Sequence, residues 1–148
     1  MPAFQSSRSV GFSPDQMFDL VADVEHYPEF LPLCEGLKIR KRLTLEDGRE
    51  VLLADMSVGY KAIRETFTSR VTLDRSTLRI DVEYVDGPFS HMENIWRFKA
   101  DGNNTTVEFS INYQFKSRML GLLMGGMFDQ AFRRFADAFE KRAAKIYR

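Results

Sequence analysis

A change of hydrophobic period along the chain is the feature that most limits its fold. Between residues 37 and 115, apolar side chains recur at every second position, which is the pattern of strands with one buried face. Asp47-Gly48 and Asp86-Gly87 interrupt this pattern with residues that favour tight turns, and short turns join antiparallel strands. We therefore predict one antiparallel sheet of about seven strands. The predicted strands cover residues 3–10, 37–45, 52–60, 63–73, 78–84, a segment ending at 98, and 107–115.

The period becomes helical after Lys116. The apolar face of this segment carries Phe128, Phe132, Phe135, Phe139, Ala143 and Ile146. A helix over residues 117–147 would be about 45 Å long. Burial of its four phenylalanines contributes about 6–12 kcal/mol before entropy is subtracted. We therefore expect this helix to pack on the sheet.

The segment after the first strand carries helix start and stop signals. Ser13 is placed to cap a helix, Pro14 suits its first position, and Gln16 completes a capping box. The buried stripe of this helix is Met17, Leu20, Val21 and Val24. Pro28 is expected to end or break the helix, which leaves room for at most one further turn before Pro32. The order of strand, two short helices, six strands and a long helix predicts the α+β helix-grip arrangement, in which a curved sheet folds around one helix.

Composition and length bear on the partner and the compartment. The 148 residues are within the range of one domain, so residues 1–148 are interpreted as a single domain. Basic and acidic residues number 21 each, so the net charge gives no argument for a nucleic-acid partner, and no DNA binding is expected. The one cysteine, Cys34, fits a reducing, cytoplasmic compartment. Residues 1–10 have no signal-peptide core, and the longest apolar run, 119–128, is about half of a membrane span.

Side chains suited to catalysis or metal binding are few. His26 and His91 lie far apart in the sequence, and the chain has no HxxxH, HExxH, CxxC, GxSxG or phosphate-loop motif. Cys34 is interpreted as a small buried residue rather than a nucleophile. We therefore predict no metal site, no cofactor and no catalytic residues, and we do not expect an enzyme.

Three polar residues nevertheless share the inward phase of their strands. Glu65 and Ser69 alternate with the apolar positions of one strand, and Asn94 does so in another. One interpretation makes Glu65 an acid of raised pKa, as cyclase-like or dehydratase-like chemistry would require. A second places it at the rim of the sheet, paired with an arginine such as Arg64 or Arg70. In the third, the polar groups orient a bound ligand.

The interior between the sheet and the long helix is the predicted binding site. It should be mostly apolar and have a volume of at least a few hundred Å³, the lower end of ordinary ligand pockets. The predicted ligand-binding residues are Tyr60, Phe67, Tyr84, Trp96, Phe109, Phe128, Phe132 and Phe135.

Glycines interrupt a very apolar stretch at the start of the long helix, residues 119–127, hereafter the glycine segment. The predicted gate residues within it are Gly121, Leu122, Leu123, Met124, Gly125, Gly126 and Met127. Glycine weakens a helix, while leucine and methionine make it apolar on all sides. The segment is either a mobile gate that admits a lipid and touches a membrane, or a place where small residues let the helix pass close to the sheet.

Three motifs resemble one known family. They are Tyr27-Pro28-Glu29-Phe30-Leu31-Pro32-Leu33-Cys34, then Gly87-Pro88-Phe89, and then Trp96-Arg97-Phe98. Together with the phenylalanine-rich last helix, they are similar to the START-like coenzyme Q-binding proteins, a family that also contains bacterial ribosome association toxins. The resemblance covers nearly the whole chain.

The resemblance implies a START or Bet v 1-like fold with an apolar tunnel between sheet and helix. It implies binding of ubiquinone or a polyprenylated precursor by a lipid chaperone that supports respiratory electron transport and quinone synthesis. Peripheral contact with the inner membrane would follow from such a ligand. Two alternatives stay open: a ribosome-binding inhibitor that contacts the large subunit, and a polyketide cyclase-like enzyme. No catalytic residues are implied by the resemblance.

Overall fold

One antiparallel sheet organises the protein, as predicted. The computed structural model describes residues 3–60 and 62–147 and places seven strands of this part of the chain in a single sheet. In chain order the strands are β1 (Ala3–Val10), β2 (Cys34–Thr44), β3 (Glu50–Tyr60), β4 (Ile63–Asp74), β5 (Arg79–Asp86), β6 (Phe89–Asp101) and β7 (Asn104–Phe115). Their order across the sheet is β1-β7-β6-β5-β4-β3-β2. Each consecutive pair of strands from β2 to β7 is therefore joined by a hairpin.

Irregular pairing bends this sheet. The register between β2 and β3 shifts twice, and the β4–β5 and β6–β7 ladders each shift once, at Thr68/Ser69 and at Phe89/His91. Such bulges increase the local twist and re-aim side chains, so the sheet curves around the last helix instead of remaining flat.

The last helix, α2 (Arg118–Ile146), confirms the predicted packing of its apolar stripe. Its buried residues are Met124, Phe128, Ala131, Phe132, Ala136, Phe139 and Ala143. Ser117 caps its N-terminus by accepting a hydrogen bond from the Leu120 N–H at 3.1 Å. Ile146, predicted on the buried face, is 46% exposed, whereas Ala143 is fully buried and the adjacent Tyr147 packs against Phe12 with ring centroids 6.1 Å apart. No helix within residues 3–60 and 62–147 combines the length and the apolar character needed to cross a bilayer.

The two short helices lie in the predicted part of the chain, but the break between them is not at the predicted residue. The first, α1 (Pro14–Ala22), begins with the predicted capping box, in which Ser13 and Gln16 bond each other's backbone N–H groups. It ends before Asp23 rather than at Pro28, and Pro28 lies inside the following 3₁₀ helix (Val24–Glu29). The Tyr27 hydroxyl donates to the Val21 carbonyl, so the tighter turn folds the tyrosine back under the end of α1.

Candidate ligand cavity

An apolar cavity lies between the sheet and α2. Of the residues that the structure describes, twenty-four line it, contributed by β2 to β7, by α2 and by the segment from Val24 to Leu33. Ser69 and Asn94 are the polar side chains among them, together with the hydroxyl of Tyr27. The position predicted from the sequence, between helix and sheet, therefore agrees with the structure.

The cavity is smaller than predicted. The space open to the centre of a water-sized sphere is about 100 Å³, compared with the few hundred Å³ expected. Aromatic rings fill the remainder: the Phe89 centroid lies 5.7 Å from that of Phe67 and 5.5 Å from that of Phe128, and Trp96 lies 5.1 Å from Phe139. These edge-to-face contacts are the favoured geometry of aromatic pairs. A ligand larger than a small ring therefore requires the lining side chains or α2 to move.

Five of the eight predicted ligand-binding residues line the cavity. They are Phe67, Trp96, Phe128, Phe132 and Phe135. Four of them are buried, and Phe135 is partly buried against the core. Strand alternation and helical spacing were sufficient to place these side chains, because each belongs to a long element with a clear period.

The other three predicted residues lie outside the cavity lining. Tyr60 ends β3 opposite Ile63, where the hairpin leaves the sheet, and is 45% exposed. The Tyr84 hydroxyl accepts the Phe89 N–H at 3.1 Å, which holds the Tyr84 ring against Phe89 instead of in the cavity. Phe109 is buried but contacts Trp96 at 4.6 Å and Phe4 at 6.1 Å. Inward phase alone does not show which buried ring faces the open space.

The segment 24–33 supplies lining residues that the periodicity did not indicate. Tyr27, Leu31, Pro32 and Leu33 all contribute to the wall, and Leu33 adopts a positive φ of 67°. This segment has neither helical nor strand period, so only the motif itself marked it as special.

Phe89 is the other major omission from the predicted set. It is 1% exposed and packs against Phe67, Tyr84, Tyr113, Phe115 and Phe128. Gly87 makes this possible, because its φ is 144° and a Cβ there would lie 2.5 Å from the Phe67 Cβ. Glycine thus lets the β5–β6 turn pass directly over β4.

Two groups with raised pKa values lie at or beside the cavity. Burial raises the pKa of the Tyr27 phenol well above its ordinary value, and its proton is donated to Val21. Burial also raises the pKa of the Cys34 thiol to about 11, and the thiol donates a hydrogen bond to the Gly36 carbonyl. At neutral pH the thiol is protonated, which agrees with the interpretation of Cys34 as a buried residue rather than a nucleophile.

Glu65 lies outside the cavity lining, and the proposed partners have other contacts. Its neighbour in the register is Val58, near the β3–β4 hairpin. Arg64 pairs with Glu35 at 3.0 Å and Arg70 with Glu83 at 3.5 Å, so the predicted pairing with either arginine is wrong. The interpretation of Glu65 as an acid inside the cavity is wrong as well, because the hairpin carries it to the rim of the sheet, the position given by the second interpretation.

The glycine segment is exposed on one side only. Met119, Leu122 and Leu123 are 70%, 81% and 60% exposed, whereas Met124 is 1% exposed and Met127 packs partly against the core. A Cβ added at Gly125 or Gly126 would meet nothing within 4 Å. Close passage of the helix over the sheet therefore does not explain these two glycines. The expectation of an apolar surface on all sides is corrected at Met124, which faces the core.

A curved antiparallel sheet closed by one long helix over an apolar cavity defines a START-like fold. Residues 10–140 match the family described as polyketide cyclase / dehydrase and lipid transport, and the chain belongs to this family.

Similar proteins carry different functional names. The ribosome association toxin RatA of Vibrio cholerae is 36% identical over 146 residues, which are 97% of each chain. The mitochondrial coenzyme Q-binding protein COQ10 homolog B of Xenopus laevis is 32% identical over 149 residues, which cover 97% of this chain and 59% of that protein. The Zhui aromatase/cyclase of a Streptomyces species has a TM-score of 0.81 at 19% identity, with 99% of this chain and 96% of that chain covered, and this likeness concerns the fold alone.

Proposed function

We propose that the protein binds ubiquinone or a related polyprenylated lipid in the cavity and carries it as a lipid chaperone for respiratory electron transport and quinone synthesis. The observation that carries this proposal is an aromatic cavity between sheet and helix whose polar side chains are Ser69, Asn94 and Tyr27. Flat aromatic walls suit a flat quinone ring, and the aliphatic positions suit an isoprenoid chain. The similarity to a coenzyme Q-binding protein supports the same ligand class.

The chemistry of the lining favours binding over turnover. Among the described residues that line the cavity, Tyr27 is the one with an ordinarily titratable side chain, and its pKa is raised and its proton bonded to Val21. General acid–base catalysis works best with a pKa near the operating pH. A carrier needs no such group. Under the alternative of a cyclase-like enzyme, substitution of Tyr27 by Phe would abolish turnover of an aromatic polyketide substrate.

Uptake of a long lipid requires the cavity to widen, and the glycine segment is where we expect this to happen. It has glycine, the least helix-stabilising residue after proline, at three positions, and at two of these an added Cβ would meet nothing within 4 Å. The exposed Met119, Leu122 and Leu123 would contact the membrane from which the lipid comes.

Lipid extraction with a matched pair of variants tests the proposal. Protein purified from a bacterium that makes ubiquinone is extracted with organic solvent, and the extract is examined by mass spectrometry. Val82→Phe adds a ring at a cavity position, whereas Val85→Phe adds the same ring on β5 at a position that is 47% exposed. The unsubstituted protein and Val85→Phe should release a prenylated quinone, and Val82→Phe should release much less. An extract of the unsubstituted protein without any prenylated compound would contradict the proposal.

A ribosome-binding role is the second candidate, because relatives named as ribosome association toxins match this chain over nearly their full length. The exposed edge strand β2 carries the basic run from Lys38 to Arg42. Arg40 pairs with Asp55 at 3.6 Å, and Arg42 pairs with Glu25 and Glu50, which neutralises much of this patch. Cosedimentation with large ribosomal subunits at low and high salt tests this role, since RNA binding through free cations would weaken steeply with salt.

A further inference from the structure

A buried hydroxyl in the cavity wall has no hydrogen-bond partner among the described residues. The Ser69 side chain lines the cavity, the residue is 6% exposed, and its Oγ is enclosed without a donor or acceptor. The great majority of buried polar side-chain atoms in proteins are hydrogen-bonded, because an unsatisfied one loses its interaction with water for nothing in return. An unsatisfied group in the wall of a cavity points to a ligand that completes it.

The strand pattern explains why this hydroxyl faces inward. Phe67, Ser69 and Val71 alternate along β4, and all three line the cavity. The neighbouring Thr68 is also buried, but its Oγ1 donates to the Asp55 carboxylate at 2.6 Å. The β4–β5 register shifts between Thr68 and Ser69, and bulges of this kind re-aim side chains. The two adjacent hydroxyls therefore have different environments: Thr68 Oγ1 is satisfied by Asp55 within the protein, whereas Ser69 lines the cavity and its Oγ is unsatisfied.

The other polar groups of the cavity wall are already bonded. The Asn94 side chain donates to the Ser110 carbonyl at 2.8 Å and accepts from the Trp96 indole N–H at 3.1 Å. The Tyr27 hydroxyl donates to Val21. Among the described lining residues, Ser69 thus offers the hydroxyl donor that no protein group uses.

We propose that Ser69 Oγ donates a hydrogen bond to an oxygen on the ring of the bound ligand, a quinone carbonyl or a phenol oxygen. This inference rests on the proposed function and adds the polar anchor of that site. A single donor in an apolar wall selects ligands that carry an acceptor oxygen on a flat ring over hydrocarbons of the same size. The selectivity arises because a hydrocarbon leaves the buried hydroxyl unpaired.

Two probes and three variants test the anchor. The probes are ubiquinone with one isoprene unit and the corresponding prenylated benzene without ring oxygens. Binding is followed by fluorescence of Trp96, the one tryptophan of the chain, which lines the cavity. Ser69→Ala removes the donor and Ser69→Thr retains it. Ser57→Ala is the matched control, because Ser57 lies on β3 with its Oγ 3.2 Å from Thr66 at the exposed side.

The expected result is a loss confined to one probe. Ser69→Ala should bind the quinone about tenfold more weakly, the effect of one lost buried hydrogen bond, and should bind the hydrocarbon no more weakly than the unsubstituted protein does. Ser69→Thr should retain quinone affinity more closely than Ser69→Ala, and Ser57→Ala should leave both affinities unchanged. The melting temperature of Ser69→Ala should be equal or higher, since an unsatisfied group is removed; a serine with a structural bond would lose stability instead.

The outcomes separate this inference from the proposed function. Equal quinone affinity in the unsubstituted protein and Ser69→Ala would overturn the anchor and leave quinone binding intact. An equal loss for both probes would also overturn it, because that result indicates altered packing. If the unsubstituted protein bound neither probe, the anchor and the proposed function would both fail.

Discussion

The two parts of α2 differ in how they are held. From Phe128 onward, the helix is fixed to the rest of the protein: Phe139 contacts Tyr27, Phe30 and Trp96 at 5.3, 5.2 and 5.1 Å. Before Phe128, the glycine segment has one fully buried side chain, Met124, and a row of exposed apolar ones. One helix is therefore tightly packed against the core in its C-terminal part and makes few buried contacts in its N-terminal part.

Polar contacts strengthen the contrast. The C-terminal part of α2 makes ion pairs from Asp137 and Glu140 to Arg8 and from Arg142 to Glu29, and it is followed by Tyr147, whose hydroxyl donates to the Gln16 carbonyl. Arg142 also lies over the Phe30 ring at 5.2 Å. These contacts reach β1, the 3₁₀ helix and α1. Local opening is expected at the end of a helix with few buried contacts, so we expect the glycine segment to move more readily than the rest of α2.

The largest change in stability is expected from removing Phe139, which holds the C-terminal part of α2 to the core. Phe139→Ala should lower the free energy of unfolding by about 3–5 kcal/mol, because it deletes a fully buried ring that three aromatic side chains contact. Leu123→Ala in the glycine segment should change it by less than about 0.5 kcal/mol, since that side chain is exposed. Urea denaturation measures both, and similar losses for the two variants would remove the distinction between the two parts.

The next largest effect tests whether the glycine segment needs its weak helix. Gly125→Ala with Gly126→Ala should raise the free energy of unfolding by up to about 2 kcal/mol and slow quinone transfer between liposomes. The added methyl groups meet nothing within 4 Å, so no clash opposes the gain. Gly48→Ala is the control: its φ of 91° should make the same substitution destabilising by about 1–2 kcal/mol. Faster or unchanged transfer in the stabilised variant would contradict a gate.

A third comparison separates the exposed surface of the glycine segment from its stability. Leu122→Glu with Leu123→Glu should shift the free energy of unfolding by less than about 0.5 kcal/mol yet greatly reduce cosedimentation with anionic liposomes, because the apolar contact is replaced by repelled charge. Gln114→Glu with Gln130→Glu adds the same charge at exposed positions without removing a leucine. Equal loss of liposome binding in both pairs would assign the effect to charge alone.

The smallest effect concerns the ion pair that ties α2 to the 3₁₀ helix. The hydrogen bond from Arg142 lowers the pKa of Glu29, and hydrogen bonding to Asp23 raises the pKa of His26. Arg142→Gln should raise the pKa of Glu29. It should also raise the pKa of His26 slightly, because the positive charge of Arg142 lowers that pKa in the unsubstituted protein. NMR titration of both side chains measures these shifts.

The sign of the pH dependence follows from the Glu29 pKa. Because its folded-state pKa is depressed, the stability contributed by this carboxylate is present above its unfolded value and is lost as the pH falls through the folded one. The contribution is small, since the carboxylate is exposed to water. A Glu29 titration unaffected by Arg142→Gln would show that the ion pair is not formed in solution.

Much of this contrast was predictable from periodicity, and part of it was not. Phenylalanines at helical spacing indicated the buried face of α2, and the run of glycine, leucine and methionine indicated a weaker, apolar start. Met124 could not be distinguished from Leu122 and Leu123 by composition, because all three are large and apolar. Only the angular position of each residue relative to the sheet decides which one is buried.

The sequence by itself determined the seven strands, the capping box at Ser13, the long helix and the position of the cavity between helix and sheet. These features depend on local periods and on turn residues, whose effects extend over a few neighbours in the chain. Tertiary structure alone decided that Tyr60 lies at the rim, that the 24–33 segment lines the cavity, and that aromatic rings reduce the open space to about 100 Å³. It also decided that Thr68 Oγ1 is satisfied while Ser69 Oγ is not. Such outcomes depend on which side chains meet in space although they are far apart in the sequence. The hydrophobic pattern gives the buried face of each element but not the partners of its side chains.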